Sequence, residues 1–128
     1  MASVILAHAL TVMDRPWAWG QCDCCIAACD VFQKIHGVDL IPSFRGIYNT
    51  KTGAYKIINR FGGFLPMARS IAACSNLRPG NGRAGEIGVT SMEDGTEALV
   101  ISYAEGMWVG KSLTGLSSTD QVKECWSV

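Results

Sequence analysis

Four cysteines fall within eight positions, at Cys22, Cys24, Cys25 and Cys29, in the stretch Trp17-Ala18-Trp19-Gly20-Gln21-Cys22-Asp23-Cys24-Cys25-Ile26-Ala27-Ala28. The chemistry open to such a group is thiol chemistry. A cysteine at the start of a helix lies at the positive end of the helix dipole, which favours thiolate over thiol and makes a nucleophile. Cys24 is the residue so placed, if Asp23 caps a helix that begins there. Thiolates also suit zinc or an iron–sulfur cluster. The C-x-C-C-x₃-C spacing is not that of paired C-x₂₋₄-C knuckles, so no metal and no other cofactor is expected.

A nucleophilic thiol needs a base that takes its proton and later returns it to the leaving group. The chain has two histidines, His8 and His36. His36 lies twelve positions beyond Cys24 on what reads as the same helix, about 18 Å away at ~1.5 Å per residue. Hydrogen-bond reach is about 3 Å. His36 therefore reads as a residue favouring the negative end of the helix. His8 is the remaining base candidate, on a separate first helix. Asp23, next to Cys24, opposes thiolate formation as a neighbouring carboxylate, so capping is the job expected of it.

The elements that must position these groups follow from pattern. Residues Ala2–Met13 read as an amphipathic helix with Val4, Ile5, Leu10 and Met13 on one stripe. Asp14-Arg15-Pro16 ends it. The second helix runs over Cys24–His36, with Gly37 as its left-handed stop. Residues 38–48 read as a loop in which Arg45 hydrogen-bonds carbonyls of its own segment. Helices are expected over 52–61, capped by Thr50 or Thr52, and over Phe64–Cys74, with Pro66 in the tolerant first turn. Residues 76–85 are rich in turn formers and read as an exposed linker.

After Gly85 the period changes. Residues 86–92 alternate, Glu93-Asp94-Gly95 is a hairpin signal, and strands are expected over 98–103, 107–111 and 122–128. Helices first and an antiparallel sheet after them define an α+β domain. One domain is expected over 1–128, with an N-terminal helix at 1–13, a helical part at 17–75 and the sheet at 85–128. Trp19, Trp126, Cys74 and Cys125 read as packing residues. Trp17 and Trp108 read as contact-surface residues, since aromatics carry interface energy.

Composition narrows the class of function. The chain has 128 residues, of which 48% are hydrophobic, enough for one packed core without disulfide staples. Reduced thiols are therefore expected. The formal net charge is zero, which argues against nucleic-acid binding. Charged residues make up only 17%, which suits a subunit that buries area against partners. The apolar N-terminal stretch lacks the positive leader and cleavage site of a signal peptide, and no run approaches a membrane span.

The words Trp19-Gly20-Gln21-Cys22-Asp23-Cys24, Arg45-Gly46-Ile47-Tyr48, Gly62-Gly63-Phe64, Ala84-Gly85-Glu86-Ile87 and Cys125-Trp126-Ser127-Val128 occur in that order. Together they resemble a family of small phage and prophage tail proteins related to the papain-like NlpC cysteine peptidases, from about Arg15 to the end. The resemblance implies a papain-like NlpC-type fold, with the helix-borne cysteine packed against the C-terminal antiparallel sheet. It puts the family's nucleophile on Cys24. The histidine expected at the opening of a central strand is missing from Glu97-Ala98-Leu99, and Lys111 is the polar residue offered on the next strand. The resemblance so implies a tail-tip or tail-assembly component with a degenerate site, made in the host cytoplasm and built into the virion beside hub or distal-tail subunits. The alternative it implies is an active endopeptidase cutting peptidoglycan, with His8 or a neighbouring subunit's residue as base. Cys24 then reads either as nucleophile or as a small inherited residue at a helix start.

Overall fold

The computed structural model describes residues 2–92 and 95–128. The hairpin expected at Glu93-Asp94 lies outside the described residues. Among those described, four helices precede a six-stranded antiparallel sheet: α1 (Ala2–Met13), α2 (Cys24–His36), α3 (Lys51–Arg60), α4 (Phe64–Cys74), then β1 (Arg78–Pro79), β2 (Ile87–Ser91), β3 (Glu97–Ala104), β4 (Met107–Ser112), β5 (Gly115–Thr119) and β6 (Glu124–Ser127). The sheet order is β1-β6-β2-β3-β4-β5. It is an α+β domain, with the N-terminal helices packed on the C-terminal sheet.

Helix α2 is the pivot between the two layers. Asp23 caps it, accepting from the Ile26 N–H, and Gly37 ends it at φ +72° with its own N–H on the Gln33 carbonyl. Between these stops Ile26, Ala27, Ala28, Cys29, Val31 and Phe32 are buried. Alanines at two successive buried positions let the helix approach β3 and β4 closely, and α1 lies along its other flank. In α1 the buried stripe is Ile5, Ala9, Val12 and Met13. Val4 and Leu10, expected on that stripe, are about half exposed. The 3.6-residue period admits either set, and the position of α2 selects between them.

The sheet is buried on both faces at its centre, which corrects the alternation expected of β2. Ile87, Val89, Leu99, Ile101 and Val109 face the helices and join the main core. Gly88, Val100 and Gly110 alternate with them, and over this second face lies Trp108. A Cβ built at Gly88 would meet the Trp108 ring at 3.0 Å. Trp108 is 1% exposed. It is a core residue and not the contact-surface residue expected from sequence, because glycines on its side of the sheet leave room for the indole to lie flat.

Three further differences concern chain ends and edges. Residues 76–85 are not wholly linker: Arg78 and Pro79 pair with Ser127 and Trp126. Strand β5 was not expected, since Gly115-Leu116-Ser117-Ser118-Thr119 has none of the apolar weight of a strand. It forms because β4 offers it a continuous ladder from Trp108↔Thr119 to Ser112↔Gly115. Trp126 packs in the core as expected, whereas Cys74, the last residue of α4, is exposed and Cys125 is half-buried. No helix among the described residues is long and apolar enough to cross a membrane.

The titrating groups predict limits to the stable pH range. The Arg45 guanidinium, bonded to Asp39, holds that carboxyl below its usual range. A depressed carboxyl contributes stability above its unfolded value, about 3.9, and that contribution is lost as pH falls through the folded value. Burial raises the Cys29 thiol, and hydrogen bonding to Cys24 followed by burial raises Cys25. Raised thiols contribute stability below the unfolded value of about 8.5, and lose it as pH rises. Thermal unfolding midpoints measured against pH should therefore fall below about pH 4 and above about pH 8.5. Arg45→Ala should flatten the acid limb and Cys29→Ala the alkaline one. Unchanged limbs in these variants would refute the assignment.

Candidate functional site

The chain enters α2 through a tight turn. The Gln21 and Cys22 N–H groups both donate to the Ala18 carbonyl, and the Ala18 N–H returns to Cys22. Gly20 at the turn has φ +80°, and a Cβ there would stand 2.0 Å from the Tyr48 carbonyl oxygen. Only glycine fits, because both the positive φ and the contact exclude a side chain.

Asp23 organises the site. Its Oδ1 accepts from the Ile26 N–H at 2.9 Å, and its Oδ2 accepts from the Gly20 N–H at 2.9 Å and the Tyr48 hydroxyl at 2.5 Å. The capping expected of it is present, and one carboxylate also ties helix, turn and loop together. Burial, then the Asp23 charge, pushes the Tyr48 hydroxyl pKa up, so Tyr48 remains a donor. Arg45 fixes the loop behind Tyr48, bonding Asp39 and also Asp30 at 2.9 Å. Those carboxylates replace the loop carbonyls expected as its partners. Their position in the fold, one on α2 and one after it, could not be read from local sequence.

In front of this framework lies a cleft of about 620 Å³. Cys24 and Cys25 face it from the start of α2, with Trp17 and Trp19 beside them. The two indoles meet edge to face, their ring centroids 5.0 Å apart. Phe44, Tyr48, Tyr55 and Phe64 contribute a wall from the loop, α3 and α4, and Thr96, Glu97, Ala98, Lys111 and Ser112 contribute the opposite wall from the sheet. Such a volume, apolar with few polar groups, is the ordinary form of a ligand cleft. Tyr48, Phe44, Tyr55 and Phe64 were not singled out from sequence as site residues. Their aromatic type was the available signal, but three separate segments supply the wall and no local spacing links them.

Cys24 is half-buried at this cleft, in contact with the Cys25 thiol. Neither histidine lines it. The His36 Nε2–H donates to the Gly85 carbonyl at 2.8 Å, and its ring lies tilted at 49° against Phe32, the centroids 4.4 Å apart. It thereby joins the far end of α2 to the start of the sheet. His8 is a half-buried residue of α1. Lys111, the polar residue offered on β4, is 2% exposed and turned away from thiol chemistry. Its Nζ donates to the Met13 carbonyl at 2.8 Å and to the Arg15 carbonyl. A cation there answers the unpaired carbonyls at the end of α1.

All six cysteines are free. No cluster of three or more His, Cys, Asp or Glu side chains among the described residues could hold a metal. Among the described residues, one buried side-chain polar atom lacks a hydrogen-bond partner, the Trp17 Nε1–H at the cleft.

The fold and cleft define a class: an α+β domain with a cysteine-headed helix set against an antiparallel sheet and an aromatic cleft at the junction. Within that class the chain belongs to the family described as "Domain of unknown function (DUF6950)", whose model matches residues 3–128. No curated protein and no solved structure matches the chain.

Proposed function

We propose that the chain is a tail-tip or tail-assembly component of a phage or prophage, on a papain-like NlpC frame whose catalytic site is degenerate. It works by binding neighbouring hub or distal-tail subunits, and it resides at the tail tip of the virion. The tail assignment rests on the ordered words from Trp19-Gly20-Gln21-Cys22-Asp23-Cys24 to Cys125-Trp126-Ser127-Val128. The observation that carries the binding role is the cleft itself: Cys24 heads α2 there, and no imidazole is among the residues lining it. Without an imidazole to take and return its proton, a thiol gains little from the helix dipole as a hydrolytic nucleophile. The cleft's aromatic wall remains, and it suits recognition.

The second reading is an endopeptidase that opens peptidoglycan peptides with Cys24 as nucleophile. The partial exposure of Cys24 at a cleft favours it. Alkylation separates the two. Iodoacetamide at neutral pH, followed by peptide mass mapping, should label exposed Cys74 ahead of Cys24, and purified cell walls should keep their turbidity. Preferential labelling of Cys24, with wall clearing abolished by Cys24→Ala, would establish the enzyme instead. An antibody to the chain should decorate the tail tip of purified particles, and unlabelled particles would remove the virion placement.

A further inference from the structure

We propose that Cys24 and Cys25 together form a chelating dithiol site for a monosubstituted trivalent arsenical, both sulfurs binding the arsenic and its organic group lying in the cleft. The site needs only two sulfurs and the space in front of them, so it stands or falls apart from the tail assignment.

Both residues open α2, and both line the cleft. Successive residues deep in a helix do not face each other. At this first turn the cleft reaches both, and each is half-buried rather than sealed in the core. The thiols also interact directly: a hydrogen bond to Cys24 is the leading cause that keeps the proton on Cys25. Once one sulfur holds a ligand, the second binds it from the same turn of chain, which is the advantage of a chelate.

The number of available thiols sets the class of ligand. Soft centres select sulfur ligands, and a structural zinc takes four ligands. Inorganic trivalent arsenic is satisfied by three sulfurs. Here the supply stops at two. Cys29, one turn further on, is 0% exposed in the main core, and Cys22 is buried with its Sγ bonded to the Val12 carbonyl at 3.5 Å. Cys74 at the end of α4 and Cys125 on β6 do not line the cleft. A soft centre held by Cys24 and Cys25 must therefore bring its own third substituent. The cleft, about 620 Å³ and bordered by Trp17, Trp19, Phe44 and Tyr48, suits an aryl group there. A ring gains from packing edge or face against such neighbours.

The step balances without an oxidant or a reductant. Two arsenic–sulfur bonds form as the bonds from arsenic to oxygen break, and the two thiol protons leave with that oxygen as water. Arsenic stays trivalent, and neither sulfur is oxidised. Because each proton departs with the oxygen, the exchange requires no imidazole and no preformed thiolate. It is chemistry open to this pair of thiols in a cleft that no histidine lines.

Phenylarsine oxide added to the intact protein at neutral pH tests this, read by mass spectrometry of the whole chain and by fragment mapping. The expected product carries one phenylarsenic group per chain, on Cys24 and Cys25, and leaves the other four cysteines open to iodoacetamide after unfolding. Excess glutathione should not remove the group, since a monothiol cannot chelate, whereas 2,3-dimercaptopropanol should. Cys24→Ser and Cys25→Ser should each weaken retention about tenfold or more, about 1.4 kcal/mol. Cys74→Ser should leave it unchanged. Inorganic arsenite, lacking a third sulfur here, should be held more weakly than the phenyl compound, and so should methylarsine oxide, which lacks the ring. An adduct that uses any other cysteine, release by glutathione, full retention in either serine variant at position 24 or 25, or arsenite or methylarsine oxide held as tightly as the phenyl compound would overturn the proposal. Mapping on the unaltered chain decides the sulfurs even where a serine variant fails to fold.

Discussion

Truncating Trp108 to alanine should lower the unfolding free energy by about 3–5 kcal/mol, the range for removing a large aromatic from a core. The residue is 1% exposed, and its ring covers Gly88 across the sheet. Glycine cannot fill the space left by the indole, and the main chain of β2 cannot move toward it without breaking its ladders to β3 and β6. The loss is therefore both transfer energy and cavity. Urea unfolding of Trp108→Ala and Trp108→Phe measures it, with the phenylalanine variant retaining part of the stability. A contact-surface tryptophan would behave oppositely, with a change within about 0.5 kcal/mol and a loss confined to assembly. That result would refute the core assignment.

Asp23→Ala should cost about 2–4 kcal/mol, combining a lost helix cap with a buried hydroxyl and a backbone N–H left without their acceptor. The carboxylate is 2% exposed and answers Ile26, Gly20 and Tyr48 together. Asp23→Asn should fall between wild type and alanine, because its amide oxygen replaces only one of the two acceptors. Tyr48→Phe removes one bond, about 1 kcal/mol. In a double-mutant cycle Asp23→Ala and Tyr48→Phe should be strongly non-additive, since they share a partner. Additive losses would mean that the Tyr48 hydroxyl is held by something else. The same variant should disorder the entry to α2, so aromatic circular dichroism from Trp17 and Trp19 should fall with it. Intact near-ultraviolet signals would separate the cap from the cleft.

These two residues mark the boundary between what is local and what is not. Asp23 as an N-cap was legible because capping depends on residue types three positions apart. Tyr48 as its third partner was not, since twenty-five positions and a loop clamp by Arg45 intervene. Lys111 was singled out from the chain, but its target was not: the end of α1 lies 98 and 96 positions away at Met13 and Arg15.

The sequence by itself determined the helix bounds Ala2–Met13, Cys24–His36 and Phe64–Cys74, the change of period after Gly85, and the α+β order of elements. Those properties reside in neighbours a few residues apart, through caps, prolines, glycines and apolar spacing. The tertiary structure alone decided that Ile5 and Val12 face inward while Val4 and Leu10 do not, that Trp108 is core, that β5 joins the sheet, and that four segments close an aromatic cleft around Cys24. Each of these depends on which surface meets which across the fold, and a side chain's environment is set by that meeting rather than by its place in the chain.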